Sequence, residues 1–360
     1  MNEPVSVPTL VGVAAAAGVS RATASRALSG YGRVGAKTAA HVQKIADELG
    51  YIPNQTAQAM RHGRTKTLGL VIISNFTNAY FDRATKAIVD AAAESGFQVL
   101  VSNTAENLGA EREAVTHLLE KQVDGLIVVP VPIGSHEHLL TPALRNTPIV
   151  LFDRKADGVN ASTFTTDDLT SCAAAIEYAV SLGHRDIGCL VRVAGIPAVT
   201  SVQPDGIISS IMGRINGIKH GAAAATLPAN SVQWRFVPAS LEVAQSGVEQ
   251  LLDSPHPPTF IFTSNNDMLL AVLAVAQKRG LVIGQNLSIV TVDDSPWAQV
   301  LGGGLTVVAR PVEKLAAEAV AELLRQIEHP DGISHDVVLP TELLIRQSVV
   351  DLRHGIHPAS

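Results

Sequence analysis

Two rhythms of apolar and polar residues divide the chain. Up to about residue 62 the apolar positions recur every three to four residues, the period of a helix. From residue 67 onward, short apolar runs alternate with helical stretches. Thr9-Leu10 opens a helical stretch through Ala17, Gly18-Val19 breaks it, and Ser20 is placed to cap a second helix, Arg21 to Ser29. A helix, a tight glycine turn and a second helix outline a helix-turn-helix. Ala40, Val42, Ile45, Ala46 and Leu49 give a third helix, Lys37 to Leu49, an apolar face to pack beneath the first two. Gly50-Tyr51-Ile52-Pro53 ends it, and Asn54 can cap a short helix, Gln55 to His62, before the basic connector Gly63-Arg64-Thr65-Lys66. Isolated helices shorter than ~12–15 residues are marginal in water. Ala57, Ala59 and Met60 offer this one little to bury, so it is expected to order only against a partner.

The later runs read as strands and helices in alternation. The first series is Leu68–Ile73, Arg83–Ser95, Gln98–Ser102, Glu111–Lys121, Gly125–Val129 and Ile149–Phe152. A second follows: Asp168–Leu182, Ile187–Val191, Gly213–Ala225, Val232–Val237, Val243–Leu252, Thr259–Phe262, Met268–Arg279 and Leu287–Val292. This predicts an α/β body of parallel sheets covered on both faces, in two similar lobes with a cleft between them. Ligands of such sheets gather outside the carboxyl ends of the strands. Polar and aromatic residues stand at those ends: Asn78, Tyr80 and Phe81; Asp153 and Arg154; Asn266; Asp293 and Trp297; and Arg310. Carboxylates, amides and guanidiniums pair with adjacent hydroxyls, and aromatic faces cover the apolar face of a sugar ring. An Asp or Asn after a strand is equally a helix cap, as Asn265 or Asp167 would be.

Composition narrows the choice. The chain has 360 residues, 46% apolar but only 4% aromatic, which suits helices on parallel sheets and excludes wholesale disorder. Net charge conceals an asymmetry. Residues 1–66 hold eight Lys/Arg against three Asp/Glu, residues 67–360 hold 19 against 30. A basic head on an acidic body points to a polyanion met by the head alone. In its second helix Arg21, Ala22, Ser25 and Arg26 can face outward. Arginine can read guanine in a major groove, while Ser20 or Thr23 can hold phosphate. Cys172 and Cys189 make neither a disulfide framework nor a zinc motif. The N-terminus lacks the layout of a secretory signal and no run suits a membrane span, so a cytoplasmic protein is expected. Phosphate loop, nucleophile elbow and H-E-x-x-H signatures are all missing, and no enzyme, metal or cofactor is expected.

Residues 9–64 resemble the head of the lactose-repressor/galactose-repressor (LacI/GalR) family of bacterial regulators. The strings GVSRATASR, ELGYIPN and AMRHGRT carry the likeness, in order and at the right spacing. Val11-Gly12 departs from the family's charged pair. The body is similar through TLGLVIISNFTNAYF, KQVDGLIVVP, IVLFDR, SLGHRDIGCL, TSNNDMLLAVLAVAQKRG and VTVDDSPWA, and through the family it resembles the periplasmic sugar-binding proteins.

The resemblance implies an all-α helix-turn-helix head, residues 1–64, with a hinge helix at 54–62. It implies a two-lobe periplasmic-binding-protein-like body, with lobes 67–165 plus 295–328 and 166–292 plus 329–352. Base-reading positions fall on Arg21, Ala22 and Arg26. Met60 falls on the hinge residue that wedges into the minor groove, and Ala57 on the residue where paired hinges touch. Effector positions fall on Asn78, Tyr80, Phe81, Asp153, Arg154, Arg214, Asn266 and Asp293, closest to the ribose-type branch. Arg310 stands where glutamine is frequent, and residues 193–212 are longer and more apolar than the usual loop. The expected function is a dimeric regulator of double-stranded operator DNA, a repressor in the first reading, answering to a sugar-like effector. An activator of the same fold is the alternative, and a solute-binding protein is disfavoured by the DNA-reading head.

Overall fold

The computed structural model describes residues 8–29, 33–52, 64–73, 79–141, 144, 146–330 and 332–354. It divides into two compact units, residues 1–66 and 67–360.

Three helices build the first unit. The hydroxyl of Thr9 accepts from the Gly12 N–H at 3.2 Å and so caps α1 (Leu10–Ala16). Gly18 turns the chain at a φ of 65°, a left-handed conformation that costs glycine least. The hydroxyl of Ser20 then accepts from the Thr23 N–H at 3.1 Å at the head of α2 (Arg21–Ser29). α3 (Ala36–Glu48) lies beneath both. Val13, Ala14, Ala17, Ala24, Val42 and Ala46 form the core, with Leu10, Val19, Leu28, Ile45 and Tyr51 packed around it. The helical periods predicted for all three segments are the observed ones. The hinge expected at 54–62, with Ala57 and Met60, lies outside the described residues.

The second unit has two lobes. The first begins with β1 (Thr67–Ile72), α4 (Ala79–Glu94), β2 (Gln98–Asn103), α5 (Leu108–Glu120), β3 (Gly125–Val128), β4 (Ile149–Phe152) and β5 (Ser162–Asp167). The second contains α6 (Asp168–Ser181), β6 (Ile187–Arg192), α7 (Ser209–Ala224), β7 (Val232–Val237), α8 (Leu241–Leu252), β8 (Phe260–Thr263), α9 (Asn266–Arg279), β9 (Ser288–Val292) and β10 (Thr306–Ala309). α10 (Val312–Glu328) and β11 (Asp336–Pro340) return to the first lobe, and β12 (Glu342–Leu344) ends in the second. The sheets run β11-β5-β4-β3-β1-β2 and β12-β10-β9-β8-β6-β7. Every pairing is parallel except β10 with β12. No helix among the described residues is long and apolar enough to cross a membrane.

The lobe boundaries differ from expectation at both returns. The resemblance places residues 295–309 in the first lobe, yet Thr306–Val308 pair with Val290–Val292 of the second sheet. It places residues 329–340 in the second, yet Asp336–Pro340 pair with Thr163–Asp167 of the first. The helix between them fixes this. Val312, Leu315, Ala319, Val320 and Leu323 of α10 bury in the core of the first lobe, so the chain crosses at Arg310-Pro311. It crosses back at Thr341, whose hydroxyl donates at 2.8 Å to the carbonyl of Asp167, where the chain passes from β5 to α6.

Candidate functional site

In the head, Arg21, Ala22 and Arg26 are exposed on one side of α2, while Ala24 is buried and Val19 and Leu28 pack on the core. Ser25 is half-buried. Arg26 Nε donates to the Ala22 carbonyl at 3.1 Å, which lays its side chain along the helix. Ser20 and Thr23 share a 2.9 Å hydroxyl contact at the helix start, where unpaired backbone N–H groups favour an anion. Arg33 and Lys37 are exposed ahead of and within α3.

In the body, the carboxyl ends of both sheets open on one cleft. The space between the walls is about 580 Å3, open solvent at its mouth included. Its walls come from both lobes: Phe81, Glu106, Asp153 and Arg154 face Arg192, Arg214, Asn265, Asp293 and Arg310. Asp153 follows β4 and Asp293 follows β9, both with left-handed backbone, φ 69° and 78°. The N–H of each donates to a carbonyl of the neighbouring strand, Phe164 at 2.8 Å and Val308 at 2.9 Å. A positive φ is uncommon outside glycine and most tolerable for Asp and Asn. Each lobe thus uses the same strained turn to aim a carboxylate into the cleft.

Both carboxylates meet one guanidinium. Arg310 donates to Asp293 through Nε at 2.6 Å and Nη2 at 2.9 Å, and to Asp153 through Nη1 at 2.7 Å. Its guanidinium carbon lies 3.4 Å from the centre of the Tyr80 ring, itself edge-on to Phe81 at 5.0 Å. Burial works against charge on Arg310, but Asp293, Tyr80 and Asp153 outweigh it and raise its pKa further above its ordinary range. Burial likewise opposes ionisation of Asp153, and Arg310, Arg154 and Arg214 overcome this, holding its carboxyl below the usual carboxylate value. Burial pushes the Tyr80 phenol well up. Arg214, on α7, donates through Nε to Asp168 at 2.7 Å and through Nη1 to the Ser264 carbonyl. Arg154 reaches Asp153 and the Pro130 carbonyl, each at 3.3 Å.

A second bridge joins the lobes. Arg192, at the end of β6, grips both carboxylate oxygens of Glu106, one at 3.0 Å. Burial disfavours the Glu106 anion, but Arg192 and Arg154 reverse that and lower its pKa. Ala105 and Glu106 are both left-handed, φ 47° and 62°, in a turn held by Thr104 N–H on the Ile72 carbonyl at 2.8 Å. Neither Glu106 nor Arg192 was among the residues expected from sequence, although both stand at carboxyl ends of strands.

Other expected residues divide. Phe81, Asp153, Arg154, Arg214, Asp293 and Arg310 line the cleft, and Tyr80 lies beneath Arg310. Asn78 lies outside the described residues. Trp297 does not line the cleft and is 39% exposed. Asp294 and Ser295 accept from the Ser295 and Ala298 N–H groups, closing a turn that puts Ala298 inside and the indole outside. At the start of α9 it is Asn265 that lines the cleft, and its Oδ1 caps the helix through the Met268 N–H at 3.0 Å. Asn266 is buried beside it, with neither amide atom hydrogen-bonded among the described residues.

Comparison with known proteins agrees with these two units. Residues 9–54 match the family described as bacterial regulatory proteins, lacI family, and residues 176–349 the periplasmic binding protein-like domain. The HTH-type transcriptional regulator DegA of Bacillus subtilis is 30% identical over 350 residues, 96% of this chain and 98% of DegA. The lac repressor bound to ONPG in its repressed state superimposes with a TM-score of 0.78 at 26% identity, over 95% of this chain and 100% of that one. A complex of the transcriptional regulator CelR with cellobiose gives 0.65 at 26% identity, over 95% and 99%.

Proposed function

Because the chain belongs to the lacI family of bacterial regulatory proteins, and so is a DNA-binding transcription regulator, we propose that it is a cytoplasmic repressor released by a neutral, sugar-like effector. The observation that carries this reading is the Arg310 clamp. One guanidinium at the cleft floor is shared by Asp293 of its own lobe and Asp153 of the other. A molecule whose vicinal hydroxyls bond those carboxylates changes what holds the lobes together. The four cleft guanidiniums are matched by Glu106, Asp153, Asp293 and the Asp168 that pairs Arg214, so a neutral polyhydroxyl compound suits the cleft without leaving a buried charge unpaired. CelR is seen with a sugar, cellobiose, and the lac repressor with ONPG in a repressed state.

On DNA, Arg21 and Arg26 read bases, with Ala22 allowing close approach. Ser20, Thr23, Arg33, Lys37 and Arg64 hold phosphate, which makes affinity fall with salt. Two copies associate through their bodies and present two heads to a pseudo-palindromic operator. Val89 of α4 with Leu100 and Val101 of the edge strand β2 are exposed apolar residues suited to that contact. Ala57 and Met60 are the positions that, by the family resemblance, meet the partner copy and the minor groove. Effector binding moves the lobes and so changes the spacing of the connectors at Thr65–Thr67. A coupling of ~1–3 kcal/mol would change operator affinity roughly 5–150-fold.

The test is a thermal-shift screen of neutral sugars on the full-length protein, followed by footprinting on a duplex selected from a random pool. A sugar that raises the melting midpoint and clears the footprint is expected. A protein that selects no duplex, or whose footprint no sugar alters, would overturn the reading.

A further inference from the structure

The apolar segment at residues 193–208 gives one wall of the cleft a character that a simple sugar does not use. This segment joins β6 to α7 and is tied down along its length. Val193 N–H donates to the Val237 carbonyl at 2.9 Å, and Thr200 and Phe236 exchange backbone hydrogen bonds at 3.0 and 2.8 Å. Its return brings Ile207, Ile208 and Ile211 to the cleft, beside Val193. Val193 and Ile211 belong to the core of the second lobe, and Ile207 and Ile208 pack on that core while remaining half-exposed on the cleft.

Two details argue that the wall serves a ligand. Ile208 occupies the N-cap of α7, with no side-chain cap bond, where Ser, Thr, Asp or Asn would satisfy a helix N–H. A local rule is broken there, as happens at functional sites. Ile211 also stands three residues before Arg214 on α7, so both project from one helix face and the apolar wall runs into the charged floor. A pyranose or furanose bonded to Asp153, Asp293 and Asn265 needs one apolar covering, and Phe81 is already there.

Resting on the sugar-effector reading above, we infer that the effector is an amphipathic glycoside: a neutral polyhydroxyl ring carrying an alkyl or aryl substituent that lies against Ile207, Ile208 and Ile211. The ring supplies the hydroxyls for the carboxylate floor, and the substituent displaces water from the isoleucine wall.

The experiment is titration calorimetry on the full-length protein with matched pairs: glucose, galactose and ribose, each beside its butyl and phenyl β-glycoside. The glycoside of the preferred ring is expected to bind at least tenfold more tightly than the bare sugar. Ile208→Asn restores a favourable helix cap, so it keeps the fold, checked by a melting midpoint no lower than the parent's. It is expected to bring the glycoside down to the affinity of its bare sugar. Equal binding of sugar and glycoside by the parent, or an unchanged gap in Ile208→Asn, would overturn the inference and leave the sugar reading standing. Binding of no member of any pair would overturn both.

Discussion

Asp153 and Asp293 occupy equivalent turns in the two lobes and hold the same guanidinium, that of Arg310, from opposite sides of the cleft. Neutralising one carboxylate therefore separates fold from response. In Asp153→Asn, Arg310 keeps its bidentate partner Asp293, so the body folds but loses this one of its charged links between lobes. The variant should bind operator and fail to release it with effector, as gel-shift titration would show. Removing the cation is harsher. Arg310→Ala leaves two buried carboxylates without their shared partner, and breaking a buried pair from one side costs roughly 3–5 kcal/mol. Urea unfolding should show a loss of that order. A loss below about 1 kcal/mol would mean the clamp is already solvated.

The Glu106–Arg192 pair is the second charged contact across the cleft, and its geometry makes it a latch. Glu106→Gln should widen the free protein, seen as an increased radius of gyration by small-angle scattering. The exchange Glu106→Arg with Arg192→Glu should return it to the parent value. If the single change leaves the radius untouched, other contacts set lobe closure, such as Ile133 packed over Gly195.

Most of the strand–helix alternation is legible because strands buried on both faces read as continuous apolar runs, as in GLIV of β3, IVLF of β4 and FIFT of β8. β5, STFTTD, and β11, DVVLP, do not read that way. Five of the six residues of β5 are polar, and three of the five of β11, an edge strand, are exposed. Lobe membership is not a local property at all. TVVA of β10 would look the same in either sheet, and only the packing of α10 decides it. The same holds for the site. Asp153, Asp293 and Arg310 stand out as polar residues at strand ends. Glu106 and Arg192 stand at strand ends too, but their meaning lies in a contact between residues 86 positions apart. The Trp297 ring suits a sugar face, but the turn closed by Asp294 and Ser295, three and two residues before it, turns the indole out of the cleft.

On the head, base reading and phosphate holding should separate in their salt dependence. Arg21 is exposed at the start of α2, free to reach a base edge. Arg21→Ala should cost about 1–3 kcal/mol of specific binding and relax selectivity at one operator position. Lys37→Ala should weaken all duplexes alike and reduce the slope of log affinity against log salt by about 1. Filter binding across a salt series on selected and scrambled duplexes distinguishes the two. Identical behaviour of the two variants would remove Arg21 from the reading surface.

A buried histidine ties the Val350 backbone to the rest of the second lobe and sets an acid limit on stability. His184 Nδ1 meets the Thr259 hydroxyl at 2.8 Å and Nε2 the Val350 carbonyl at 3.1 Å, with Phe260 against its ring. Burial is the main cause that lowers its pKa to about 4. The unfolded chain takes up a proton near the ordinary value of about 6.5, whereas the folded chain resists it. The contribution is therefore complete above pH 6.5 and is lost as pH falls from 6.5 toward 4. Between pH 7.5 and 5 this amounts to about 2 kcal/mol of unfolding free energy. His184→Gln cannot titrate, so its stability should fall less over that interval, by about the same 2 kcal/mol, in denaturant melts at each pH. Parallel pH profiles for parent and variant would show that His184 already carries its proton in the folded chain.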